Sequence, residues 1–241
     1  MFEDFLGSPL LDLTPSKTDL LKVFATLLKM YGPLNWWPAD SAYEVAVGAI
    51  LTQNTAWRNV EKALANLRHA GIWSIQNLHA TGKNHLATLI RPSGYFNIKA
   101  RKLKEFAGVV VRDYQGDFEI LLGLPKEELR AALISIWGIG EETADDIILY
   151  AAKKPSFVID TYTRRIVKRL GWSVDGNAYE DYKRLFESRL PADTNLFNEY
   201  HALLDRHGSI TCRPQPLCTD CTLLSLCPTG KRNISHTNPS D

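Results

Sequence analysis

Residues 133–146 read Leu133-Ile-Ser-Ile-Trp-Gly-Ile-Gly-Glu-Glu-Thr-Ala-Asp-Asp146, and helical spacing of apolar residues flanks them on both sides. Gly138 and Gly140 bracket one apolar residue, Ile139. Two glycines so placed permit a tight turn with positive φ and let an anion come close to the backbone. The helix that follows at once then presents unpaired amide groups to that anion. Such a helix, turn and helix can grip a phosphate without reading base sequence. The same residues also suit a plain helix-connecting turn, so the surrounding chain has to decide.

Working outward, the pattern is helical almost throughout. Thr14-Pro-Ser opens an amphipathic run, Leu20–Met30, that stops at Gly32-Pro33. Asp40 is placed to cap Tyr43–Leu51, and Ala56–Leu67 repeats apolar residues at helical spacing before Gly71. Further helices are expected at Phe96–Tyr114, Lys126–Ile136, Glu141–Ala152, Thr161–Leu170, Tyr179–Leu190 and Leu196–Arg206. Only Ser156–Ile159 reads as extended, which is too short to found a sheet. The fold class expected is all-α, with no internal repeat. Residues 229–241 are polar and rich in Ser, Asn, Thr and Lys, and are expected to be disordered.

The 241 residues carry 45% hydrophobic and 23% charged side chains, an ordinary soluble globular balance. A net charge of +1 neither suggests nor excludes a nucleic-acid partner; any basic surface must be local. The start, Met1-Phe-Glu-Asp-Phe, has no basic segment leading into an apolar run. No stretch approaches the roughly 18 apolar residues of a membrane helix. A cytoplasmic protein without a membrane partner is the expectation. All four cysteines lie in Cys212-x5-Cys218-x2-Cys221-x5-Cys227, which in a reducing compartment reads as a metal site sooner than a disulfide frame. Structural zinc usually pairs two Cys-x-x-Cys units, and this chain has one.

Twenty residues beyond Gly140 comes Val158-Ile-Asp-Thr-Tyr-Thr-Arg-Arg, where an acid ends an apolar stretch and begins a basic helix. From about Tyr31 to Cys227 the chain resembles the helix-hairpin-helix DNA glycosylase superfamily, in its endonuclease III branch. The parts that carry the resemblance are Ile136-Trp-Gly-Ile-Gly, Lys154-Pro155 and Asp160. The resemblance implies two helical lobes. One, residues 35–154, is a six-helix barrel with the hairpin at 127–152. The other joins 1–34 to 155–228 and holds the cysteine loop, with the reacting site between the two. It implies Asp160 as the catalytic carboxylate, although an Asp there also suits a helix N-cap. The cysteine spacing resembles that branch's [4Fe–4S] loop, with one residue fewer between the first two cysteines; Cys212, Cys218, Cys221 and Cys227 would be the ligands, and zinc is the alternative.

Bifunctional members carry a Schiff-base lysine two residues after the second hairpin glycine, where this chain has Glu142. That departure implies a monofunctional glycosylase without lyase activity. Asn35-Trp-Trp-Pro-Ala, Gly48-Ala-Ile-Leu-Thr-Gln-Asn-Thr and Arg91-Pro-Ser-Gly-Tyr-Phe-Asn-Ile-Lys-Ala resemble the 3-methyladenine glycosylase subgroup, whose best-known form lacks the cysteine loop. This likeness implies Trp36, Trp37, Pro38 and Trp57 as a base pocket, or else as packing at a seam. Indoles stack well on a flat cationic base. Asn54 matches the position that fills the gap left by a flipped base, or caps a helix near Thr55. Gly138, Ile139, Gly140, Thr143 and Arg164 would join Asn54 on the DNA. Lys99, Arg101, Lys102, Lys104, Arg165, Lys168 and Arg169 are further basic candidates for phosphate contacts.

The expected activity is hydrolysis of the N-glycosidic bond of damaged bases flipped out of double-stranded DNA, 3-methyladenine and other alkylated purines first. Uracil, mismatched thymine or deaminated purines on the same fold are the alternative. A non-catalytic DNA-binding module is the rival from another class. A monomer is the family-level expectation.

Overall fold

A computed structural model describes residues 14–237, which form thirteen α-helices and no strand. In chain order these are α1 Lys17–Tyr31, α2 Ala42–Leu51, α3 Trp57–His69, α4 Ile75–Ala80, α5 Lys83–Leu89, α6 Phe96–Asp113 and α7 Phe118–Gly123. There follow α8 Lys126–Ser135, α9 Glu141–Asp146, α10 Thr161–Arg169, α11 Tyr179–Glu187, α12 Thr194–Ile210 and α13 Pro228–Thr237. No helix among the described residues is long and apolar enough to cross a membrane. Two compact units are present. The larger comprises Asn35–Val158 with Ala192–Glu199; the other comprises residues 14–34, Ile159–Pro191 and 200–237.

In the larger unit α2 is apolar except at Glu44 and is buried from Tyr43 to Leu51. A helix without a polar face belongs in the middle of a core. Around it gather Val60 and Leu64 of α3, Leu103 and Phe106 of α6, Leu129 and Leu133 of α8, and Ile147 and Ile148. The last two belong to a π turn, Ile147–Ala151, into which α9 opens. Lys99 is 2% exposed inside this unit. Its Nζ donates to Leu51 O at 2.8 Å and Ser93 O at 2.7 Å. It thus satisfies one carbonyl that the end of α2 leaves without an intrahelical partner. Burial lowers its pKa to about 8, with Lys102 adding to the shift.

The smaller unit is sewn from three stretches of chain. Ser16 and Asp19 form a reciprocal capping box at the start of α1. Phe24 of α1 and Phe186 of α11 both pack on Tyr200 of α12, with ring centroids 5.3 and 5.7 Å away. Tyr200 Oη donates to Leu20 O at 2.8 Å, tying α12 back to α1. Gly208 lets α12 approach α10 closely: a Cβ there would collide with Cβ of Tyr162.

Three expectations need correction. Ser41, not Asp40, caps α2, its hydroxyl accepting from Glu44 N at 3.2 Å, while Asp40 pairs with Arg68 at 3.0 Å. The polar stretch after Pro228, expected to be disordered, is helical as far as Thr237; residues 238–241 lie outside the described residues. A proline at its first position and contacts of Gly230 and Asn233 with the cysteine loop support this helix: Gly230 N donates to Cys227 Sγ at 3.2 Å and Asn233 Nδ2 to Cys218 Sγ at 3.4 Å. Finally, α4, α5 and α7 were not foreseen, being too short to show a period.

Candidate active site

The hairpin between α8 and α9 uses its two glycines differently. Gly138 has φ +89°, and a Cβ there would lie 2.5 Å from Lys102 Cγ, so both conformation and space demand glycine. Gly140 is extended at φ −96° and caps α9. Positive φ, expected at both, occurs at Gly138 alone; around Gly140 the space is open. Ile139 is buried and anchors the turn in the core. Thr143 is buried too, its hydroxyl accepting from Gln53 Nε2 at 2.8 Å, and Lys102 Nζ donates to the Oε1 of that same glutamine. A buried ion pair braces the two helices: Arg130 Nε meets Asp145 Oδ1 at 3.0 Å, and Ser156 Oγ donates to the same oxygen at 2.7 Å. Trp137 stands 45% exposed in the turn, with the Arg101 guanidinium 3.7 Å from its ring centroid. Glu142, second in α9, is exposed.

In the same unit Trp36, Trp37 and Trp57 form one aromatic cluster. Each pair has centroids 5.2–5.3 Å apart, and Tyr150 lies 5.2 Å from Trp37. Trp37 and Trp57 also pack on the core. Gly48 leaves room for the Trp37 indole, since a Cβ there would sit 3.3 Å from Cζ2. The buried Trp37 Nε1 has no hydrogen-bond partner among the described residues. Pro38 is exposed beside this cluster. Asn54 is exposed with φ +53°, and it does not cap α3, whose N-cap is Ala56.

Asp160 belongs to the other unit and is 8% exposed. It is the N-cap of α10: its Oδ1 accepts from Thr163 N at 2.6 Å. Its Oδ2 lies 3.9 Å from Nε2 of His201. Burial holds the His201 pKa down, against the pull of the Asp160 charge. Asp205, one turn further along α12, is exposed as a residue. The protein around its carboxyl and the Asp160 charge nevertheless push that carboxyl up to about 7.

Two basic residues of this unit, Arg165 and Arg169, reach the cysteine loop. Arg165 donates to Cys212 O and Gly208 O, each at 2.7 Å. Arg169 donates to Arg213 O at 2.6 Å, Pro214 O at 2.8 Å and Cys212 Sγ at 3.2 Å. Arg164 turns to Asn177 O at 3.0 Å and to the rings of Tyr179 and Tyr182. Lys104 caps the end of α4 through Thr81 O at 2.8 Å. Of the basic candidates, Arg101 and Lys168 are exposed.

The four cysteine sulfurs collect donors: Gly230 N on Cys227, Arg169 on Cys212, Asn233 Nδ2 on Cys218 at 3.4 Å, and His207 Nε2 3.6 Å from Cys221. Burial pushes the Cys221 thiol up to about 11 and raises that of Cys227, and the charges of Cys212 and Cys218 add to both. No three His, Cys, Asp or Glu among the described residues gather closely enough for a single metal ion.

Residues 47–192 match the family described as the HhH-GPD superfamily of base excision DNA repair proteins, and the chain belongs to it. Membership places it among enzymes acting on N-glycosyl bonds. It is 43% identical over 210 residues to a Methanocaldococcus jannaschii protein bearing the provisional name DNA repair glycosylase, covering 86% of this chain and 95% of that one. It is 30% identical to endonuclease III of Thermotoga maritima over 77% of this chain and 82% of that one. Among solved structures, the Helicobacter pylori 3-methyladenine DNA glycosylase bound to 1,N6-ethenoadenine superposes with a TM-score of 0.68 at 28% identity, over 81% of this chain and 98% of that one. An endonuclease III–DNA complex superposes with a TM-score of 0.78 at 22% identity, over 91% and 99%, and shares the fold.

Proposed function

We propose that the protein is a monofunctional DNA glycosylase that hydrolyses the N-glycosidic bond of alkylated purines, 3-methyladenine first. The observation that carries this reading is the cluster of Trp36, Trp37, Trp57 and Tyr150, an electron-rich wall suited to a flat cationic base. The 28%-identical glycosylase solved with an ethenoadenine supports it. A base methylated at N3 is already positive in the nucleoside, so it departs neutral and needs no acid. Asp160 faces the electron-poor sugar carbon, and its carboxylate stabilises the positive charge that develops there. As water bonds to that carbon and the base leaves with the bond's electrons, Asp160 takes the water's proton. The Thr163 amide fixes one carboxylate oxygen and leaves the other for this work.

Glu142 stands where a Schiff-base lysine would act, and its carboxylate cannot form that adduct. Gly138, Gly140 and Asn54, with Arg101 and Trp137 beside the hairpin, are the proposed DNA contacts. Ile139 and Thr143 support them from within. The four cysteines supply the donor set of a [4Fe–4S] cluster, and N–H donors already reach sulfurs of Cys212, Cys218 and Cys227. When bound, the cluster would act as an architectural clamp on the loop between α12 and α13.

The test is chromatography of free bases released from methylated DNA by wild type and Asp160→Asn. Release of 3-methyladenine by wild type alone is expected. If wild type with bound iron releases none, the alkylpurine assignment fails, and uracil, mismatch and hypoxanthine duplexes become the substrates to assay. A borohydride-trapped adduct with wild type would overturn the monofunctional reading.

A further inference from the structure

His207 lies on α12 and is 1% exposed. Its Nδ1 is 2.9 Å from the Tyr31 hydroxyl at the end of α1, and its Nε2 is 3.6 Å from Cys221 Sγ. The Tyr31 hydroxyl is also 3.2 Å from Thr211 Oγ1, one turn beyond His207 on the same strand of chain. A ligating cysteine is a thiolate and accepts only, so a neutral imidazole facing it carries its hydrogen on Nε2. Nδ1 is then an acceptor, Tyr31 donates to it, and Tyr31 accepts from Thr211. Every polar atom of the series is satisfied in one direction only, ending on sulfur.

We propose that Thr211, Tyr31 and His207 form a hydrogen-bond relay that ends on Cys221 and sets the reduction potential of the cluster held there. The inference rests on the [4Fe–4S] reading above. Hydrogen bonds to the sulfurs are among the factors that set the potential of such clusters. A donor on a thiolate stabilises the more negative, reduced cluster more than the oxidised one, and so raises the potential. The relay also explains why Tyr31 and His207 are buried against each other from segments 176 residues apart. Second-shell partners of this kind orient a ligand and tune the metal without touching it. His207 is thus a positioning residue for Cys221.

The experiment is film voltammetry on the full chain, with iron and acid-labile sulfide analysis, of wild type, His207→Phe, His207→Gln and Tyr31→Phe. His207→Phe is expected to retain iron and sulfide and to show a more negative potential. Gln places an amide N–H near the imidazole Nε2 position, so His207→Gln is expected close to wild type. Tyr31→Phe, which removes one oxygen, is expected to shift in the same direction as His207→Phe but less. A wild-type protein without iron and sulfide overturns both this inference and the cluster reading. An intact cluster with an unchanged potential in His207→Phe overturns the relay alone. If His207→Phe does not hold the cluster, Tyr31→Phe decides: a negative shift supports the relay, and an unchanged potential overturns it.

Discussion

At Asp160 one carboxylate oxygen is taken by the Thr163 amide at 2.6 Å, and the other faces His201 at 3.9 Å. Cap and catalyst can be separated here, because Asn caps a helix about as well as Asp while removal to Ala costs about 1 kcal/mol. Asp160→Asn is expected to keep the melting temperature of wild type while base release falls by about a hundredfold or more. Asp160→Ala is expected to lose both. Calorimetry beside a release assay distinguishes the two variants. Arg101 makes a second residue-scale case. Stacked 3.7 Å from the Trp137 ring and exposed at the hairpin, it can reach a phosphate. Arg101→Ala is expected to reduce the slope of log affinity against log salt by about 0.9 on duplex DNA. An unchanged slope in a fluorescence titration would remove Arg101 from the contact set.

Between elements, the hairpin is braced by the pair of Arg130 with the fully buried Asp145. Arg130→Met would leave the Asp145 carboxylate buried with Ser156 but without its cation, at a cost of about 3–5 kcal/mol. Urea denaturation reads that loss, and a variant within about 1 kcal/mol of wild type would contradict the role given to the pair. Lys99 ties α2 to the turn at Ser93, and its folded pKa of about 8 lies below the ordinary 10.5. Between those values the unfolded chain binds the extra proton and the folded chain does not, so Lys99 makes stability rise with pH across that window. The rise is expected to be absent in Lys99→Met, measured by denaturant midpoints from pH 8 to 10.

Such roles were only partly open to reading. The periods of α3 and α12 and the near-uniform apolarity of α2 show plainly in the residues, because each follows from a face or from full burial. Helices α4, α5 and α7 span barely two turns and show no period. Lys99, Arg165 and Arg169 look like any surface cation until the carbonyls they cap are in place. The carboxylate, the cysteines and the tryptophans were legible as residue types at telling positions. His201 and His207 were not, since their significance lies in partners distant in sequence.

For the molecule as a whole, the chain passes between the two units four times, at 34–35, 158–159, 191–192 and 199–200. The unit bearing Asp160 is therefore not a contiguous segment, and its first helix, α1, supplies partners to α12. Tyr200 needs Leu20 O, and His207 needs Tyr31. A chain beginning at residue 35 is expected to expose α12 and the cysteine loop to protease while the larger unit, with its own core, resists. Limited proteolysis with mass spectrometry checks this; equal resistance of both parts would show that α1 is dispensable.

Gly208 is a place where α12 comes close to α10, against Tyr162. Those two helices carry His201 and Asp160. A single added methyl would wedge them apart, moving the histidine from the carboxylate and loosening the carbonyl that Arg165 holds. If Asp160 acts as proposed, Gly208→Ala is expected to lose base release while Asp160 and the four cysteines all remain in the sequence.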